Sequence, residues 1–269
     1  MDPRIVARLR CPVCAAPLAL AELPSLRALR CPSGHSFDLS RQGYADLAVG
    51  RVTHDGDTGE MVAARARVQG AGHFDFLTAA LVDAASPAEM GLIVDVGAGT
   101  GANLAALLER RPGAVGLAVD VSKAALRRAA RAHPRLGAVR ADAWRGLPVA
   151  DGAAACVLNV FAPRAGAEFA RVLSPGGRLI VATPAPDHLR ELGLALGVDP
   201  RKDERLTATL APWFVREDER ELRTTLRLSD ADAAAVAAMG PSAFHAGTPV
   251  RGGAVTAAVR LSVWRSGED

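Results

Sequence analysis

Apolar residues fall in short runs along this chain, separated by helical or alternating stretches. Ile93, Val94 and Val96 make a run of strand length. Directly behind it, Leu104, Leu107 and Leu108 recur at helical spacing within residues 103–110. Further strand-like runs cover 115–119, 138–140 and 154–158, and another follows the turn Ser174-Pro175-Gly176-Gly177 at Leu179-Ile180-Val181. Before these, 60–68 and 74–84 have helical patterns; after Ser122, which can cap a helix, so does 123–132. Near the C-terminus, 221–228 and 255–263 alternate as antiparallel edge strands would. Residues 189–213 mix apolar and charged positions and read as a mobile cover.

Between the first strand and its helix lies Val94-Asp95-Val96-Gly97-Ala98-Gly99-Thr100-Gly101. Three glycines in five residues predict a tight turn that lets a ligand approach the backbone, with the free N–H groups of the helix start facing it. Because the run also satisfies the dinucleotide pattern, it does not by itself decide between cofactors. Asp120 ends the second apolar run, where a carboxylate would take ribose hydroxyls, and a dinucleotide site has such an acid too. Asp142 follows the third strand, in reach of an adenine ring.

The N-terminal chemistry is of another kind. Cys11-Pro12-Val13-Cys14 and Cys31-Pro32-Ser33-Gly34-His35 have C-x2-C and C-x3-H spacing, which suits tetrahedral zinc. Four protein ligands would leave no open position, so the Zn2+ is expected to be structural. Cys156 lies in an apolar run and reads as a core thiol.

Composition adds bounds. The chain has 269 residues, 49% of them hydrophobic, enough for one large domain with a small appendix. No segment reads as a membrane span or secretory signal, which gives a cytoplasmic expectation. The net charge is +3, compatible with nucleic acid but not diagnostic of it. Nearly all positive charge is arginine, with lysine only at 123 and 202, and residues 110–145 carry nine basic side chains opposed only by Asp120 and Asp142. That run could face phosphate or simply solvent.

Joined to these motifs, Ser36-Phe37-Asp38-Leu39, Gly56-Asp57-Thr58-Gly59-Glu60-Met61, Gly70-Ala71-Gly72-His73-Phe74, Phe161-Ala162-Pro163, Ala182-Thr183-Pro184 and Met239-Gly240-Pro241 make the chain resemble the zinc-containing 23S rRNA (guanine-N1)-methyltransferases, in their tylosin-resistance branch. The resemblance implies a class I, Rossmann-like methyltransferase domain with a mostly parallel seven-stranded sheet and a small zinc-knuckle domain. Residues 1–48 would be the zinc-binding RNA-recognition domain, 49–71 a linker and connecting helix, and 72–269 the S-adenosyl-L-methionine-dependent domain. It implies cofactor contacts from Phe74, Asp95, Gly97, Gly99, Thr100, Gly101, Asp120, Asp142 and His188, and metal binding by Cys11, Cys14, Cys31 and His35. The family carries tyrosine where Phe74 stands, so here only the ring contact carries over. It also implies a homodimer framing the 23S rRNA, with macrolide resistance as the consequence.

Asn159 follows the fourth strand, where this class of enzyme holds the target base, and its amide could position a flipped guanine. Guanine N1 carries a proton that must leave; His73 and His188 are candidate bases by residue type only, and no base is assigned. Two alternatives remain at this level. A small-molecule methyltransferase would need neither the knuckle nor the arginine run, and a non-catalytic zinc RNA-binding protein would not need Asp95, Asp120 and the glycines.

Overall fold

The computed structural model describes residues 1–23, 26–50, 52, 56–85, 91–194, 202–240 and 250–267. The chain begins with a four-residue helix, α1 (Pro3–Val6), capped by the Asp2 carboxylate, which accepts from the Arg4 N–H. Strands β1 (Ala19–Leu23), β2 (Leu26–Arg30) and β3 (Ser36–Asp38) then form an antiparallel three-stranded sheet in that order. The next strand, β4 (Tyr44–Asp46), belongs elsewhere.

After α2 (Gly59–Gly70) and α3 (Asp75–Ala84), the central units follow as strand and helix: β5 (Leu92–Val96), α4 (Ala102–Glu109), β6 (Val115–Asp120), α5 (Lys123–Ala129), β7 (Leu136–Arg140), β8 (Ala154–Val160), α6 (Gly166–Val172) and β9 (Leu173–Pro184). Helix α7 (Lys202–Leu210), β10 (Phe214–Leu228), α8 (Asp230–Ala238) and β11 (Gly253–Ser266) complete the described chain. The large sheet has the order β10-β11-β9-β8-β5-β6-β7-β4. Its β5 to β9 core is parallel, as strand-helix alternation requires, and β11 and β10 add antiparallel beyond β9.

The sheet therefore has eight strands, one more than expected. The extra strand is β4, which leaves the N-terminal unit and pairs parallel with β7, Ala45 opposite Val139. A second expectation also changes: β11 lies between β9 and β10, so only β10 is an edge. The pattern still alternates because Val255, Ala257, Val259, Leu261 and Val263 of β11 share one face and enter one apolar layer.

Apolar layers cover both faces of the sheet. Along β5, Ile93 enters one layer with Leu81, Leu104 and Leu126, whereas Leu92, Val94 and Val96 enter the other. That second layer also contains Ile5, Leu9, Cys11, Leu29 and Cys31, so the N-terminal unit is packed onto the large sheet through one continuous apolar core. The bridge Leu9 to Val149 adds backbone pairing to the same seam.

Of the connector 49–59, residues 51 and 53–55 lie outside the described residues. Its far end is tied down: Ser122 Oγ donates to the Asp57 carbonyl at 2.6 Å, and Thr58 caps α2 at the Met61 N–H. Part of the expected cover, 195–201, and the residues Pro87 and Pro241 also lie outside the described residues.

Candidate active site and metal centre

Two short turns bring the N-terminal donors together. Cys11 and Cys14 flank the turn before β1, and Cys31 and His35 flank the turn between β2 and β3. Their four ligand atoms lie within 4.8 Å of one another. His35 Nδ1 is 3.3 Å from Cys31 Sγ and 3.6 Å from Cys11 Sγ, and Cys14 and Cys31 sulfurs are 3.7 Å apart. A tetrahedron with metal-sulfur bonds near 2.3 Å has edges of about 3.8 Å, so the donor set fits zinc without rearrangement. The thiols are not equivalent. Burial pushes Cys11 up, whereas the Ala16 backbone N–H and then Ser33 pull Cys14 down to about 6, toward the thiolate that a metal needs.

The glycine turn is built as its sequence requires. Gly97 has φ 77° and Gly101, which opens α4, has φ 78°. At Gly97 space matters as much as conformation, because a β-carbon there would overlap that of Ala162. Asp120, at the end of β6, holds the turn from the neighbouring strand: Oδ2 accepts from Gly99 N–H at 2.9 Å and Oδ1 from Ser122 N–H at 2.8 Å. Burial raises the Asp120 pKa against the pull of those two N–H groups. Asp95 is buried at the end of β5, and its Oδ1 has no partner. Burial, then the charge of Asp120, pushes it up to about 7. Thr100 is turned away from this task, its hydroxyl donating to Gln69 Oε1 at 2.6 Å on α2.

Next to the turn lies a cavity of about 330 Å³, lined by Asp95, Gly97, Phe161, Arg164 and His188 among others. Phe74 lines it too, joining β9's exit loop through its ring, 6.2 Å from that of His188. Phe161 adopts φ 53°, uncommon for a side chain of that size; the residue is 43% exposed and its ring lies 5.8 Å from that of His188. Below it, Asn159 is fully buried: its Nδ2 donates to the Pro163 carbonyl at 2.8 Å and its Oδ1 has no partner. Asn159 therefore shapes the loop that carries Phe161 and Arg164.

Other expected residues fall differently. Asp142 does not line this cavity: it caps a 3-10 turn, accepting from Trp144 N–H at 3.0 Å, and borders a separate cavity of about 370 Å³ with Cys11, Cys14 and Arg145. His188 Nδ1 accepts the Ala258 N–H at 3.2 Å. That lone pair is committed to the backbone. His73 lies 3.6 Å from Asp232 and is outside the cavity lining. Much of the arginine run is structural, with Arg111 donating to the Val82 carbonyl, Arg135 to those of Arg111 and Ala114, and Arg140 to Asp46. Arg110, Arg127, Arg128 and Arg131 are exposed. Arg164, the last residue of the stretch 159–164 expected to hold the base, lines the cavity, and so does Gln69, which nothing in the sequence singled out.

A parallel sheet with a glycine turn after its first central strand, an acid ending the next strand and a cleft at the strand C-termini defines a class I methyltransferase domain, and the four-donor cluster defines a zinc ribbon. Residues 93–177 match the family described as Methyltransferase domain, and residues 9–48 match RlmA, N-terminal. A Bacillus halodurans protein provisionally named a methyltransferase shares the fold at TM-score 0.51 and 18% identity, covering 70% of this chain and 97% of its own. A protein of Micromonospora griseorubida, provisionally named a 23S rRNA (guanine-N(1)-)-methyltransferase, is 48% identical over 98% of this chain and 99% of its own. The 23S rRNA (guanine(748)-N(1))-methyltransferase of Streptomyces fradiae is 48% identical over 91% of this chain and 89% of its own. The chain belongs to the 23S rRNA (guanine-N1)-methyltransferase family, with its RlmA-type zinc ribbon.

Proposed function

We propose that this protein transfers a methyl group from S-adenosyl-L-methionine to N1 of a guanine in a 23S rRNA hairpin loop, and that macrolide resistance follows. The observation that carries the reading is the joining of a zinc ribbon to a methyltransferase cleft through one apolar core. A small-molecule enzyme would have no use for that seam. The proposed division is a ribbon over 1–48, a connector over 49–71 and a catalytic domain over 72–269, with β4 shared between the first and last.

The residues present fit the cofactor. Asp95 offers a buried carboxylate oxygen without a partner, and the Gly97 position leaves no room for a side chain. In this reading Gly97, Gly99 and Gly101 admit the methionine part, Asp120 takes ribose hydroxyls and keeps the turn in place, and Phe74 and His188 pack against the bound molecule. Asp142 would read adenine from its 3-10 turn, and Thr100 acts through Gln69. Bound, the cofactor supplies a methyl group on a cationic sulfur, ready for in-line displacement.

The chain's own work is positioning. The Phe161 ring offers a surface for a flipped base, Asn159 holds that loop, and the ribbon grips the hairpin. Since His188 Nδ1 is occupied and His73 lies elsewhere, the N1 proton leaves to water at the cleft mouth. A homodimer framing the rRNA, in the cytoplasm, completes the proposal; among the described residues no helix is long and apolar enough to cross a membrane.

The test is direct. The protein is incubated with labelled cofactor and a transcript of the hairpin, and the product is mapped. Label at one guanine N1 is expected. Label on small metabolites alone, or RNA binding without transfer, overturns the reading.

A further inference from the structure

Arg164 is the cavity's unassigned charge. It sits on the loop after β8, and among the described residues no carboxylate pairs with it. Its Nε is buried without a hydrogen-bond partner, and its backbone carbonyl is pinned by Trp144 Nε1 at 3.2 Å. By contrast, Arg65, across the cavity near Gly99, is paired with Asp57 at 2.7 Å and donates to the Met239 carbonyl at 2.8 Å. Both guanidiniums leave Nε without a hydrogen-bond partner, but Arg65 has a carboxylate and a carbonyl for its Nη2, whereas Arg164 has neither among the described residues. Burial depresses the pKa of Arg164, yet a guanidinium stays charged at neutral pH. A half-buried guanidinium that lines the cavity with no carboxylate partner and an unpartnered Nε points to a ligand that completes it.

We propose that Arg164 is a catalytic residue that donates to O6 of the target guanine and stabilises the anion formed when N1 loses its proton; this rests on the guanine-N1 reading above. The chemistry needs such a group. The N1–H bond breaks with its proton leaving to water and its electron pair spreading over N1 and O6. N1 then forms the bond to the methyl carbon, while the carbon-sulfur bond breaks with its pair going to sulfur. Charge develops on O6 before attack, and a cation fixed there lowers the cost of forming it. The cleft holds no available imidazole, so lowering the acidity barrier of the substrate takes the place of a strong base. The same contact selects guanine, because adenine presents an amino group where guanine presents O6.

Three acceptors share this chemistry: O6, a backbone phosphate and the cofactor carboxylate. The first is favoured because Arg164 lies three residues past Phe161 on the same loop and lines the same cavity as the ring that offers a surface for the base.

The experiment is single-turnover methylation of the hairpin transcript from pH 6 to pH 10 by wild type, Arg164→Gln and Arg164→Lys, with Kd for transcript and for cofactor and with Tm for each. Arg164→Gln is expected to lose on the order of 100-fold in rate at pH 7. Its rate should keep rising with pH at least one unit beyond wild type, with both Kd values within about threefold. Arg164→Lys, which keeps the charge, should recover part of the rate and of the pH displacement, and supplies the readout should the Gln variant not fold. A pH-independent loss matched by weaker transcript binding makes the partner a phosphate and overturns the proposal. Weaker cofactor binding makes it the carboxylate and overturns it equally. Wild type active with an unaffected variant removes the role alone, whereas wild type that leaves N1 unmodified removes the underlying reading as well.

Discussion

Gly97 and Ala162 meet across the cleft so closely that a β-carbon on the glycine would occupy the space of the alanine methyl. The turn that would receive the cofactor and the loop that would hold the base therefore bear directly on each other. Gly97→Ala should weaken cofactor binding roughly tenfold or more, since the left-handed backbone alone costs about 1–2 kcal/mol with a side chain. The double variant Gly97→Ala, Ala162→Gly should recover the steric part and leave the conformational part. Calorimetric cofactor titration of the four proteins checks this; additive losses would mean that the two loops are not in contact.

Asp95 sets a pH signature. Its folded pKa of about 7 lies above its unfolded value, so between about pH 4 and pH 7 the folded protein binds the extra proton. This group's contribution to stability is then fully present below the unfolded value and is lost as pH rises through 7. Relative to wild type, Asp95→Asn should gain Tm at pH 8 by several degrees, less at pH 5 and little at pH 4. It should bind the cofactor more weakly at both. Thermal melts across the range decide the matter, and a pH-independent difference would count against a buried, perturbed carboxyl.

Metal loss should reach beyond the ribbon. Cys31 and Cys11 belong to the same apolar layer as Leu117 and Val139 of the large sheet. Chelation, or Cys14→Ser, should remove stoichiometric zinc, lower the Tm of the whole chain and weaken transcript binding at least tenfold, while cofactor affinity changes less. Metal analysis with melting curves would contradict this if the catalytic domain melted unchanged.

His188 gives the opposite expectation to a general base. With Nδ1 accepting the Ala258 N–H, His188→Asn should raise the KM for cofactor by a few-fold and leave the shape of the pH-rate profile intact. Loss of the basic limb in that variant would restore histidine as the proton acceptor.

Much of this site was legible in the sequence, and for physical reasons. Metal spacing, the glycine turn and strand-end acids are local constraints written in a few adjacent residues, so Cys11, Cys14, Cys31, His35, Gly97 and Asp120 fall where the pattern predicts. Long-range pairing leaves no such trace. Nothing in Tyr44-Ala45-Asp46 announces a parallel partner 94 positions away, which is why the eighth strand was not foreseen. Arginines are equally mute: Arg135 and Arg140 look identical to Arg127 until their acceptors come into view, the carbonyls of Arg111 and Ala114 and the carboxylate of Asp46. The same holds for His188, whose residue type suggests proton transfer and whose Nδ1 accepts the Ala258 N–H instead.

The pairing of β4 with β7 has one more consequence. A parallel strand left bare at a sheet margin is an invitation to other chains; β4 covers β7, and the bridge from Leu39 to Ala45 covers β4 in turn with the zinc-ribbon unit. The ribbon unit is thus a stopper for the sheet. Chimeras that exchange it between relatives would have to carry Tyr44–Asp46 along, and evolution could not have shed it without leaving the catalytic sheet sticky.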